Sequence, residues 1–114
     1  MSYNPYRQDR DELKELLQQY DNLKKGKNFS FIEEESFERI IDYYDEKEQL
    51  ALALQAAEYG IEQYVYSAAL LLRKADILIA LKKYAEALPI LDKAELLDRR
   101  DTNLYILKTD AYLA

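Results

Sequence analysis

The chain has 114 residues, with 16 Lys and Arg against 22 Asp and Glu for a net charge of −6, and it contains neither Cys nor His. Without Cys there is no disulfide framework and no thiolate zinc site; without His the commonest metal ligand and the usual general base near neutral pH are both missing, which excludes Ser-His-Asp triads, Cys-His dyads and Glu-x-x-His di-metal bundles. The acidic balance opposes nucleic acid and anionic membrane surfaces, whose affinity comes from Lys and Arg.

With only 2 Gly and 2 Pro there is little punctuation for a sheet. Leu, Ala, Glu and Lys, all helix formers, dominate instead. The reading is therefore one all-α domain. Residues Met1–Gln8 show no periodicity and read as a loose arm. Asp9 and Glu12 have capping-box spacing, and Leu13, Leu16, Leu17, Tyr20 and Leu23 follow at helical intervals. Lys24 and Lys25 suit a last turn and Gly26 the position beyond it, which predicts a helix over 10–25. The loop 26–32 holds Phe29, Phe31 and Ile32, which are expected to fold back as core filling.

From Glu34 a longer period takes over. The stretches beginning at Phe37, Leu71 and Tyr105 are spaced 34 residues apart. Each has a second bulky residue seven positions on, at Tyr44, Leu78 and Tyr112, and an Asp between, at 42, 76 and 110. Small residues recur in the same way at Ala53 and Ala87, and at Gly60 and Ala94. The expected helices are 34–46, 49–62, 68–81, 84–97 and 102–113, with Ser67 and Asp101 as N-caps. Pro89 falls inside one of them and is expected to bend it.

This pattern resembles the tetratricopeptide repeat family, whose unit is a 34-residue helix–turn–helix. The resemblance covers 81 of the 114 residues and is clearest over Ala80–Ala94, which looks like the family's turn and second helix. It departs from the family where the usual Pro after the second helix is replaced by Val65 and Arg99. It divides the chain into an N-terminal arm, capping helix and loop (1–33), a first repeat (34–67), a second (68–101) and the first helix of a third (102–114). The implied architecture is an α-α superhelix of about six helices in antiparallel pairs, with a concave wall made by the first helix of each pair.

On helix 34–46, at about 100° per residue, Phe37, Ile40, Ile41 and Tyr44 share one arc while Glu35, Glu38, Asp42, Asp45 and Glu46 share the opposite one. The resemblance puts these acids on the concave wall, along with Leu72, Asp76 and Ile79 of the second repeat and Ile106 and Asp110 of the third. The first repeat alone carries 2 basic and 9 acidic residues, so the acidity of the chain is concentrated at one end of that wall.

The expected function is a non-catalytic protein-interaction scaffold that holds a basic peptide or helical segment. Orientation would come from the acids and anchoring from Leu72, Ile79 and Ile106. An alternative is an assembly piece of a larger repeat protein with no free peptide ligand. No cofactor, metal, nucleic-acid or membrane partner is expected. Self-association through helix 102–113 is expected, because apolar surface near Leu104, Tyr105, Tyr112 and Leu113 lacks a covering helix. The polar stretch Met1–Arg10 and the absence of a long apolar segment point to a cytoplasmic location.

Overall fold

A computed structural model describes residues 5–27 and 31–113. Among them are six helices and no strand: α1 (Pro5–Lys24), α2 (Glu34–Glu46), α3 (Leu50–Gln63), α4 (Ala68–Ala80), α5 (Tyr84–Leu97) and α6 (Thr102–Leu113). The molecule is all-α, and its last five helices match the expected spans to within a residue or so at each end.

The first helix differs from expectation. It starts at Pro5, so residues 5–8 are helical and Asp9 lies inside the helix rather than at its cap. Pro5 stands first in the helix, where its missing N–H costs nothing and its fixed φ is already helical. The end of α1 follows the sequence. Gly26 adopts φ 69°. The Lys27 N–H donates to the Asn22 carbonyl at 3.0 Å, and the Gly26 N–H to Leu23 at 3.1 Å, closing a Schellman cap.

The same cap recurs twice without glycine. Glu48 (φ 58°) follows α2 and Lys82 (φ 62°) follows α4, in equivalent places 34 residues apart. Gln49 donates to Tyr44 and Glu48 to Asp45 after α2; Lys83 donates to Leu78 and Lys82 to Ile79 after α4. These caps turn the chain sharply, so α3 runs back along α2 and α5 along α4. The close approach shows at Gly60, near the end of α3, where an added Cβ would lie 3.1 Å from Phe37 Cγ, near the start of α2.

Packing is by neighbours in sequence, plus α4 against both α2 and α6; α3 and α5 do not pack on each other. The first helices of successive pairs thus stand side by side, with the second helices behind them. One core cluster joins Tyr20, Ile32, Phe37, Ile40, Ile41, Ala53, Ala56, Ala57, Leu70 and Ile77. The other joins Leu71, Leu72, Ala75, Leu78, Ala87, Leu91, Ala94, Leu104 and Ala111. The α1 helix docks through Tyr20, whose ring meets Tyr59 edge-on at 5.9 Å and Tyr44 at 6.5 Å. Its hydroxyl is buried without a hydrogen-bond partner, and burial first, then Tyr44 and Tyr59, raise its pKa.

The loop before α2 is only partly core. Ile32 is buried and its carbonyl accepts from the Tyr64 hydroxyl at 2.7 Å. Phe31, in contrast, is 75% exposed and only leans on the Tyr64 ring, and Phe29 lies outside the described residues. Tyr66 is also exposed. No helix among the described residues is long and apolar enough to cross a membrane.

Candidate functional site

The side-by-side placement of α2, α4 and α6 creates a trough. It contains a depression of about 350 Å³ with Glu38 of α2 on one side, Leu72, Arg73 and Asp76 of α4 below, and Asn103 and Ile106 of α6 on the other side. The start of α4 is fixed against α2 by Ser67. Its hydroxyl accepts from the Leu70 N–H at 3.1 Å as the N-cap and donates to the Glu34 carboxylate. Asp101 caps α6 by accepting from the Asn103 N–H at 2.9 Å.

Within the trough the acids are not all open to an incoming ligand. The Arg73 Nη2 lies 3.5 Å from Glu38 Oε1 and 3.3 Å from Asp42 Oδ2, so one guanidinium from α4 already sits between two carboxylates of α2. The Arg73 Nε is buried with no hydrogen-bond partner. Arg39, in the same register one repeat earlier, reaches back in the same way to Glu12 of α1 at 3.8 Å. Glu38 has its pKa raised, chiefly by desolvation; Arg73 opposes the shift, and Glu34, Asp42 and Glu35 add to it. The Asp76 pKa is raised first by desolvation in the trough. Asp45, Asp110 and Asp42 push it further up, and Arg73 pulls it down. Asp76 is therefore the point at which the negative potential of α2 and α6 converges.

Of the residues singled out from the sequence, Asp42, Asp45, Asp76 and Asp110 are close enough to interact electrostatically, and Glu38 joins them through Arg73. Glu35 is exposed and bears on Glu38; Glu46 is exposed at the last residue of α2, outside the depression. The apolar anchors divide. Ile106 lines the depression and is 58% exposed; Leu72 lines it too but is 8% exposed, so it is floor rather than anchor. Ile79 is half-buried against the second core cluster and does not line the depression. The sequence reading missed Arg73 and Asn103. The signal for Arg73 was its 34-residue spacing from Arg39.

A second depression, of about 460 Å³, runs between α1 and Tyr43 and is lined by Arg10, Asp11, Leu13, Lys14 and Leu17. Its charges are mixed. No group of three or more His, Cys, Asp or Glu among the described residues is arranged to hold a metal ion. Comparison with protein-family models, with curated proteins and with solved structures gives no match to this chain.

Proposed function

We propose that the chain is a non-catalytic protein-interaction module of the tetratricopeptide type, whose trough holds a basic peptide or helical segment. The observation that carries this reading is Arg73. Its guanidinium, seated between Glu38 and Asp42, is an internal example of the group the trough is built to receive. A ligand Lys or Arg has further acids to meet, since Asp45, Asp76 and Asp110 converge beyond that pair while Ile106 offers apolar contact beside them. The repeated left-handed turns at Glu48 and Lys82 support the repeat reading independently of the site. Part of Asp76's cost of ionisation would be relieved by an incoming cation, which makes the trough selective for positive charge.

Titration with a Lys/Arg-rich peptide, followed by calorimetry at several salt concentrations, tests this. Binding that weakens with salt and is abolished by Asp42→Lys with Asp76→Lys supports it; binding indifferent to both, or none, overturns it. A second reading, an assembly piece that uses α6 rather than the trough, is favoured by the exposure of Tyr112 and Leu113.

A further inference from the structure

The depression between α1 and Tyr43 has the opposite charge to the trough. At about 100° per residue, Arg7, Arg10, Lys14 and Leu17 of α1 share one narrow arc, while Glu12 and Glu15 fall outside it. Three cations therefore line the depression against one acid, Asp11. Asp21, further along the same arc, is held by Lys25 at 2.9 Å. Lys47 adds a fourth cation, with its Nζ 4.8 Å from the centre of the Tyr43 ring. Among the described residues, neither Arg10 nor Lys14 is in an ion pair, whereas Arg39, Arg73, Lys74 and Lys108 all are.

The apolar groups here are also unspent. Leu17 packs against the first core cluster, but Leu13 and Tyr43 are half-buried outside both clusters. The positions equivalent to Tyr43 in the next two first helices, Ile77 and Ala111, are 3% and 5% exposed. The side of the helix that is core in α4 and α6 is thus the wall of an open groove of about 460 Å³ in α2. Tyr43 lies about 100–160° around α2 from Glu38, Asp42 and Asp45, so the body of the helix, ~10 Å across, stands between the groove and those acids. That separation exceeds the screening length of ~8 Å at physiological salt.

We infer that this groove is a second binding site, which takes an acidic amphipathic helix of a partner protein. Charge complementarity selects the acids. The spread of the cations selects a helix. Arg7 and Lys14 are ~10 Å apart along α1, too far for one small anion to bridge, and the steps of three and four residues through Arg10 match carboxylates placed at i, i+3 and i+7 of a facing helix. An aliphatic side chain on the neighbouring face of that helix lodges between Leu13, Leu17 and Tyr43.

The probe is a synthetic helix-forming peptide with Glu at i, i+3 and i+7 and Leu beside them, titrated into the whole labelled chain. Amide shifts should move from Arg7 to Leu17 and at Tyr43, and should shrink with salt. Arg10→Glu with Lys14→Glu should weaken binding about tenfold or more, with the helical circular dichroism unchanged. Asp11→Lys should tighten it about threefold, a gain that unfolding cannot mimic. No binding, shifts that fall elsewhere, or affinity indifferent to these changes overturns the inference. So does a groove that ignores the peptide and captures anionic lipid vesicles instead. The Lys/Arg-rich peptide should still bind the Arg10→Glu, Lys14→Glu protein, so the groove and the trough succeed or fail separately.

Discussion

Replacing Arg73 with Met separates the trough's binding role from its structural one. Arg73, Glu38 and Asp42 side chains are 40%, 27% and 42% exposed, so their two ion pairs are well screened and worth about 0.2–1 kcal/mol each. Met keeps the apolar stem and removes the unpartnered buried Nε, which regains about 1 kcal/mol of desolvation. The two effects nearly offset, and Arg73→Met should unfold within about 1 kcal/mol of wild type in a urea titration. Binding should change far more. Loss of Arg73 frees Glu38 and Asp42 for a ligand cation and removes a like charge beside it, a gain of about 1–1.4 kcal/mol, or roughly five- to tenfold in affinity for a Lys/Arg-rich peptide. Calorimetry on both proteins at the same salt concentration gives the comparison. Equal or weaker binding by Arg73→Met, with stability preserved, would refute the idea that Arg73 occupies the ligand's place.

Three further predictions concern the scaffold. The raised pKa of Asp76 means that its ionised form is disfavoured in the folded state, so the native state gains stability as pH falls through the folded pKa toward the ordinary Asp value. Asp76→Asn should therefore stabilise at pH 7 by a few tenths of a kcal/mol, since solvent screens this exposed group, and the gain should vanish once both states are protonated. Thermal melts at pH 7 and pH 3 check it. Lys82→Gly should stabilise by about 0.5–1 kcal/mol by relieving a left-handed backbone, with Glu48→Gly behaving alike; a loss of stability in urea would contradict the cap assignment. Gly60→Ile should cost about 1–3 kcal/mol, because the added atoms meet Phe37 and Leu70, which start at 3.1 Å from a bare Cβ.

The fold was largely legible because a strict 34-residue period carried it. Phe37, Leu71 and Tyr105 announce the first helices, and Ala53 and Ala87, both buried, mark where the second helices pack closely. The start of α1 was not legible. No apolar rhythm runs through residues 5–8, and their helicity rests on Pro5 at the first position and on the absence of any breaker after it. The turns at Glu48 and Lys82 were hidden for a related reason, since neither position is the glycine that usually betrays a left-handed cap. At the trough, the helix wheel separated the acidic arc of α2 from its apolar arc, and Phe37, Ile40 and Ile41 are buried accordingly. It did not foresee that Arg73 spans to α2, because that contact depends on how one repeat is staggered against the last. Nor did it tell floor from anchor, since Leu72 and Ile106 share a register while only one of them has a helix over it.

Amide chemical-shift mapping of the labelled chain during titration with a Lys/Arg-rich peptide tests the central claim most directly. The account predicts that the perturbed amides cluster along α2, α4 and α6, around Glu38, Asp42, Asp76, Ile106 and Asp110, and that the shifts shrink as salt is raised. Perturbations confined to α3 and α5, or none at all at saturating peptide, would contradict it.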